Sequence, residues 1–160
     1  MVTPGKDTLV QGIKQAGIGG IVELAPGDYE VGKTIALEHA VTVRSQGLAT
    51  ITFERSALFE IKDGGSLKLS GVTISGASAP DYAGNSVIRT SRNSMLDNYE
   101  VVIENSHFSD LDVNRFFDVL AGFKGTMADR ITITDSTFSR ITGSVLKLDA
   151  ETDDLGIYNA

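Results

Sequence analysis

Four short apolar segments recur along this chain at one fixed interval. They read Phe-Glu-Ile, Ile-Arg-Thr, Phe-Asp-Val and Leu-Lys-Leu, and they begin at residues 59, 88, 117 and 146, so each lies 29 residues after the last. A constant period near 30 with a short strand in each unit is typical of a solenoid, in which equivalent strands stack on one another. A solenoid has no central pocket, so we expect function on one of its long outer faces.

A second repeat points to the same architecture. Segments 67–74, 101–108 and 131–138 carry apolar residues at their first, third and eighth positions. Their fifth position holds Gly71, Asn105 and Asp135, residue types that adopt positive φ at low cost. This pattern predicts a one-residue left-handed bend between two strands of each coil.

The two repeats together define the predicted fold. Strands that stack on their equivalents one turn later run parallel, about 4.8 Å apart, and the crossover rule makes a three-stranded turn right-handed. We therefore predict an all-β chain, a right-handed single-stranded parallel β-helix (a pectate-lyase-like solenoid) of about six coils over residues 19–160. A β-sandwich would not explain three equal spacings. The expected inward columns are Phe59, Ile88, Phe117 and Leu146, and Ile74, Phe108 and Phe138.

The N-terminal segment, residues 1–18, contains one convincing helix signal, between Asp7 and Gly17. Asp7 is the expected N-cap, accepting hydrogen bonds from the first free amides, and Gly17 is the expected C′ residue. A short amphipathic helix before a solenoid caps the first coil and shields it from edge pairing.

The opposite end of the chain shows no comparable cap. The next strand of the second repeat is due about 30 residues after residue 131, just beyond Ala160. We interpret the β-helix as incomplete at its C-terminal end, either as a fragment of a longer protein or as a unit whose end a partner covers. A short natural protein with a frayed tail is the alternative.

Composition excludes several classes of partner. The net charge is −7 and no basic stripe is visible, which argues against nucleic acid. No run of 18 apolar residues exists, so no membrane partner is expected, and the absence of cysteine excludes disulfides and thiolate metal sites. The N-terminus lacks an apolar signal core, so the chain is cytoplasmic or its leader has been removed.

One predicted outward row carries alternating charges, in the order Glu60, Arg89, Asp118 and Lys147. The simpler interpretation is a solvated salt-bridge ladder in which each pair contributes roughly 0–1 kcal/mol. The alternative is a row of groups lining a groove for an acidic polymer.

Arg89 and Arg92 are, with Lys147, the candidate substrate-binding residues. A guanidinium group suits the recognition of a carboxylate because its fork binds both carboxylate oxygens. The competing interpretation pairs the two arginines with acidic neighbours, namely Asp81, Asp97 or Glu100.

Other residues that could carry chemistry form no convincing site. Nothing in the sequence places His39 and His107 together, and a surface position is the preferred interpretation for His107, which aligns with Thr73 and Thr137. Glu151, Asp153 and Asp154 could contact Ca²⁺ but lack the alternating ligands of a calcium loop, so a solvated acidic run is preferred. We predict no catalytic residue and no metal ligand in this chain.

Several strings resemble a known family once the solenoid is recognised. Residues 20–29 (GIVELAPGDY) resemble the first coil of many polysaccharide-active β-helices, and residues 65–71, 84–90 and 151–160 (ETDDLGIYNA) are more specific. In this order and spacing they resemble the C-terminal β-helix of polysaccharide lyase family 6, the alginate lyases related to chondroitinase B. The resemblance extends from about Gly19 to the end of the chain.

The resemblance implies a bacterial parent protein, secreted or periplasmic, with two β-helices that cleaves alginate by β-elimination. In that family a lysine acts as the base and an arginine assists, while Ca²⁺ or another cation neutralises the uronate carboxylate. None of this catalytic motif matches a position in the present sequence. The resemblance therefore implies no catalytic residue and no cofactor here, with Ca²⁺ expected in the parent protein.

The expected partners are an acidic, alginate-like polysaccharide and a second β-helix domain of the same parent chain. For the isolated chain, we expect a β-helix domain without catalysis of its own. The alternatives are a carbohydrate-binding or domain-docking module, and a structural or engineered β-helix fragment without activity.

Overall fold

Every strand pair that the computed structural model shows is parallel, and the model describes residues 1–149. One helix, α1, covers Thr8–Ala16. The strands β1 to β14 are, in chain order, Gly5–Lys6, Gly20–Glu23, Gly27–Val31, Ile35–Leu37, Ala40–Phe53, Ala57–Ile61, Ser66–Ser75, Ser86–Thr90, Tyr99–Glu104, His107–Ser109, Asp118–Gly122, Ala128–Thr134, Thr137–Phe138 and Leu146–Leu148.

The strands form three parallel ladders that wind around one axis. Ladder A contains β2, the first halves of β5 and β7, β9 and β12. Ladder B contains β1, β3, the second halves of β5 and β7, β10 and β13. Ladder C contains β4, β6, β8, β11 and β14. The predicted parallel β-helix of about six turns is confirmed.

The predicted bends between ladders A and B are also confirmed. Gly71 has φ 68°, Asn105 has φ 50° and Asp135 has φ 49°. The register pairs Leu67 with Val101 and Ile74 with Phe108 across these bends. Each bend therefore turns the chain with one left-handed residue, so both halves of the segment keep their apolar side chains inward.

The inward column of ladder B follows the prediction. Tyr29, Ile51, Ile74, Phe108 and Phe138 are register partners in successive coils. The rings of Phe108 and Phe138 stack with centroids 5.0 Å apart and planes 13° from parallel. Aromatic stacking between coils supplies packing beyond the buried area itself.

The predicted inward column of ladder C was wrong at Phe117, and its last predicted member, Leu146, is in register but 42% exposed. Ile35, Phe59 and Ile88 align with Leu120 and not with Phe117. Leu120 then aligns with Leu146, so β11 enters the ladder three residues later than an even period predicts. Phe117, the residue that the sequence predicted for this position of the column, is still buried. Its ring packs edge-on against that of Phe53, with the ring centroids 6.1 Å apart.

The helix is close to its predicted position, but its predicted cap was wrong. Asp7 precedes the helix with φ 58° and its side chain makes no capping hydrogen bond. Its Oδ1 instead accepts a hydrogen bond from the backbone nitrogen of Gly32, 2.8 Å away. Gly17 follows the helix as its C-cap with φ 71° and ψ −162°, so glycine ends the helix as predicted but without the left-handed helical conformation of a C′ residue. The helix buries Leu9, Val10 and Ile13 against the first coils.

Within residues 1–149, no helix is long and apolar enough to cross a membrane.

Two buried tyrosines give a first prediction about stability. The hydroxyl of Tyr29 lies 2.8 Å from the Val2 carbonyl oxygen and 2.7 Å from that of Ala25. The hydroxyl of Tyr99 is buried without a hydrogen-bond partner among the described residues, and burial raises its pKa to about 12. Tyr29→Phe should therefore lose about 1 kcal/mol of unfolding free energy, whereas Tyr99→Phe should lose none or gain stability.

Urea denaturation of the two variants checks this contrast. Equal losses in both variants would mean that the Tyr99 hydroxyl is satisfied in solution, for example by a buried water molecule.

Candidate functional site

The outward row of ladder C contains two of the three candidate binding residues. Its register partners in successive coils are Ala36, Glu60, Arg89, Ala121 and Lys147. Ala121 takes the place that the sequence predicted for Asp118, because of the same three-residue displacement of β11. Asp118 instead aligns with Ser86, so the predicted alternation of charge along this row was wrong at that position.

Arg89 is engaged within this row. Its Nε donates to Glu60 Oε2 at 2.7 Å, and Nη1 lies 3.3 Å from Ser56 Oγ. Burial raises the pKa of Glu60, but hydrogen bonds from Lys62 and Arg89 outweigh it and hold the pKa below its ordinary value. The competing interpretation of Arg89 as an ion-paired residue is thus supported, although its partner is Glu60 and none of the three predicted acids.

A pocket lies beside Ala121, where the outward row carries a methyl group between two long cationic side chains. Its volume is about 190 Å³. We call it the Ala121 pocket, and its lining residues are Tyr82, Ala83, Gly84, Arg92, Asp118, Ala121, Phe123, Lys147 and Asp149. The structure therefore brings Arg92 and Lys147 to one site and places Arg89 one coil away, next to Ala121 in the row.

Arg92 and Lys147 are exposed cations that line this pocket, although they lie 55 residues apart in the sequence. The guanidinium carbon of Arg92 lies 5.3 Å from the centroid of the Phe123 ring, a cation–π contact that orients the group. Among residues 1–149, neither cation forms an ion pair with a carboxylate. Both therefore remain available to an anionic ligand.

Asp118 adds a carboxylate to the same pocket, a contribution that the sequence did not reveal. The residue is 5% exposed, and its Oδ1 accepts a hydrogen bond from the backbone nitrogen of Ser144 at 2.8 Å. Burial raises the pKa of this carboxyl group, and nearby Asp149 raises it further. The Ser144 hydrogen bond and the charge of Lys147 offset part of this rise.

Two loops that are joined by hydrogen bonds carry exposed aromatic side chains, and one of these, Tyr82, lines the pocket. Tyr82, in the connection before β8, is 50% exposed and lines the pocket. Phe116, in the connection before β11, is 57% exposed and has φ 59°. The two connections are joined by a hydrogen bond from Gly84 nitrogen to Arg115 oxygen at 3.1 Å and by a side-chain hydrogen bond between Asn114 and Asp81.

Sequence reasoning missed these aromatics because they fall between the repeats and not within them. The length of the two connections was the available signal. Residues 76–85 and 110–117 connect ladder B to ladder C, and the equivalent connections in the first coils, residues 32–34 and 54–56, are much shorter.

The histidines do not meet in the structure. His107 lies on β10, where its Nδ1 is 2.6 Å from Thr137 Oγ1, and it is exposed, as predicted. His39 lies in the turn between β4 and β5. No group of three or more histidine or acidic side chains in residues 1–149 is arranged to hold a metal ion. Glu151, Asp153 and Asp154 lie outside the described residues.

The fold and this surface define a class of protein, a single-stranded parallel β-helix with a pocket on one outer face that is lined by two cations and two carboxylates. No family model and no curated protein matches the sequence. Solved structures do match, among them that of the polysaccharide lyase family 6 alginate lyase AlyGC, at 42% sequence identity and a TM-score of 0.95, and that of an arginine-to-alanine mutant of the same enzyme, at 43% identity and 0.95.

Each match covers 99% of this chain and 22% of the longer one. The predicted resemblance to polysaccharide lyase family 6 is therefore confirmed over the length of this chain, which spans about a fifth of the solved enzyme.

Proposed function

We propose that this chain is a substrate-holding β-helix domain of an alginate-lyase-like polysaccharide lyase, and that β-elimination on the uronate polymer takes place elsewhere in the parent protein. The observation that supports this proposal is the 42% identity with an alginate lyase over 99% of the chain, at a TM-score of 0.95. Identity at that level over every described coil is more than a shared solenoid geometry requires.

The chemistry of β-elimination explains why we place the reaction elsewhere. The step needs a base at C5 of the uronate and a positive group that neutralises the carboxylate, because a carboxylate anion hardly acidifies the neighbouring proton. Base catalysis by lysine is favoured by burial of the amine or by a second cation beside it. Lys147 is exposed and lies next to Asp118 and Asp149, so its surroundings favour binding over proton abstraction.

An assay of the isolated chain tests this division of labour. The chain is incubated with alginate, with and without Ca²⁺, and the ultraviolet absorbance of unsaturated uronate ends is followed. We expect no product above the no-protein control, together with measurable binding of the polymer. Robust turnover that disappears in Lys147→Ala would contradict the proposal, because it would place catalysis on this chain.

The other expectations from the family resemblance are part of the same proposal. We place the parent protein in the secreted or periplasmic space of a bacterium, where an extracellular polymer is accessible. We assign Ca²⁺ to the parent protein and propose a second β-helix domain of that protein as the physical partner of this one.

A further inference from the structure

We propose that the Ala121 pocket binds one uronate residue of the polymer, with the sugar carboxylate held by Arg92 and Lys147 and the sugar ring against Tyr82. This inference rests on the proposed function, since it names the place and the chemistry by which this chain holds an acidic polysaccharide. It assigns a site on the face of ladder C that needs no catalytic group.

The charge of the pocket is the first argument. The chain carries a net charge of −7, so a polyanion is repelled at long range and binds only where local cations outweigh this field. Six of the cations in residues 1–149 are paired with carboxylates, as Arg44 is with Glu23 at 2.8 Å. Arg92 and Lys147 form no such pair within these residues. They line one pocket with the carboxylates of Asp118 and Asp149, so the formal charge of the pocket is zero where the whole chain carries −7.

The orientation of Arg92 is the second argument. Its guanidinium carbon lies 5.3 Å from the centroid of the Phe123 ring, a cation–π contact that holds the group at the pocket. A guanidinium carries five N–H donors, and within residues 1–149 those of Arg92 form no ion pair with a carboxylate, so two of them can form the parallel hydrogen bonds that a sugar carboxylate accepts. Lys147 contributes a second charge from β14, which is two strands further along ladder C than β8, the strand that precedes Arg92.

Asp118 places a hydrogen-bond acceptor in the pocket, in addition to the two cations. One carboxylate oxygen accepts the Ser144 amide, and within residues 1–149 the other oxygen has no hydrogen-bond donor from the protein. A carboxylate oxygen accepts a hydrogen bond from a hydroxyl group but repels a second carboxylate. A uronate carries both kinds of group, and it therefore fits with its carboxylate toward the cations and a hydroxyl toward Asp118.

The size of the pocket limits the ligand to a small unit. Pockets for drug-sized ligands occupy about 300–1,000 Å³, whereas the Ala121 pocket has about 190 Å³. A single sugar ring is the natural occupant, and the rest of the polymer would follow the open face of ladder C.

The aromatic side chains support the same ligand class. Tyr82 exposes half of its surface while lining the pocket, and Phe116 on the adjoining loop is both exposed and held at φ 59°. A bulky residue at positive φ costs of order 1–3 kcal/mol and persists where structure or function requires it. An exposed aromatic ring offers an apolar surface on which the apolar face of a pyranose can stack.

Isothermal titration calorimetry of the chain with short alginate oligosaccharides tests the site. We expect Arg92→Ala and Lys147→Ala each to weaken binding about tenfold or more, the loss expected for a charge-assisted hydrogen bond. Lys33→Ala removes the same charge from an exposed position in the turn between β3 and β4 and should leave the affinity unchanged. Carboxyl-reduced oligosaccharides should bind at least tenfold more weakly than the acidic ones.

A pair of alanine variants separates the pocket from the overall charge. Ala121→Leu fills the pocket without changing any charge and should abolish binding. Ala36→Leu makes the same substitution in the same outward row but away from the pocket, and it should bind like the wild type. Tyr82→Ala, at an exposed position that leaves folding unaffected, should also weaken binding and covers the case in which Ala121→Leu fails to fold.

The outcomes are distinguishable. If the wild-type chain binds alginate oligosaccharides but the Ala121→Leu and Tyr82→Ala variants bind equally well, the pocket assignment is overturned and the proposed function stands. If the wild-type chain binds no alginate oligosaccharide, both fall.

Discussion

Replacement of Gly71 by asparagine should destabilise the protein by about 3 kcal/mol, even though asparagine occupies the equivalent bend in the next coil. The reason lies in the neighbouring coil and not in the local backbone. A Cβ atom at Gly71 would lie 2.0 Å from the backbone oxygen of Ser45, a distance that forces the main chain to move. The segment Ser45–Leu48 inserts extra residues at the corner of β5, and its backbone occupies the space beside Gly71.

The matched control is Asn105→Gly. Asn105 has the same left-handed conformation, with φ 50°, and glycine adopts it freely. We expect a change within about 1 kcal/mol, arising mainly from the greater freedom of the unfolded chain. Urea denaturation of both variants checks the contrast. If Gly71→Asn were as stable as Asn105→Gly, the contact with Ser45 would not restrict this bend.

Truncation of Phe108 to alanine should cost about 3–5 kcal/mol, the loss expected when a large buried aromatic side chain leaves a cavity. Phe108 is 1% exposed and stacks on Phe138 in the next coil. In a solenoid each coil contacts only its neighbours, so the cavity weakens the interfaces on both sides of one coil. The last described coil, which contains Phe138, should lose amide protection first in hydrogen-exchange measurements.

Phe116→Ala provides the comparison for this second prediction. The side chain is exposed, and its loss should change the free energy of unfolding by no more than about 0.5 kcal/mol. Similar losses for the two phenylalanines would show that the loop aromatic is packed in solution, which would also remove one argument for its role beside the Ala121 pocket.

The second repeat, formed by segments 67–74, 101–108 and 131–138, could be predicted because its conformation depends on residues that are close together in the sequence. Each bend requires one residue that tolerates positive φ, and the flanking strands alternate apolar side chains in a fixed register. The alignment of Ile74, Phe108 and Phe138 could therefore be predicted from the sequence and is found in the register.

The inward column of ladder C was predicted less well because one coil is longer than the mean period and the next coil is shorter by the same number of residues. Ile88 and Leu120 are 32 residues apart, and Leu120 and Leu146 are 26 apart, so a three-residue excess in one coil is followed by a three-residue deficit in the next. The mean stays at 29, and Phe117 falls on the apparent period although it precedes the strand. A constant period in the sequence therefore did not guarantee a constant register.

The same displacement created the candidate site. It moved Asp118 out of the outward row and put Ala121 in its place, so that a pocket lies between cations where the sequence predicted a continuous charged ladder. Arg92 and Lys147 were predicted individually as candidates for binding. Their proximity, the buried carboxylate of Asp118 and the contribution of Tyr82 depend on loops whose paths the repeat does not specify.

The sequence by itself determined that the chain winds into a parallel β-helix, because periodic apolar residues and left-handed bends act over short distances and recur in each coil. Only the tertiary structure decided which side chains face one another across the outer surface. That arrangement depends on the length of each connection, and a difference of three residues exchanges a carboxylate for a methyl group at the centre of the site.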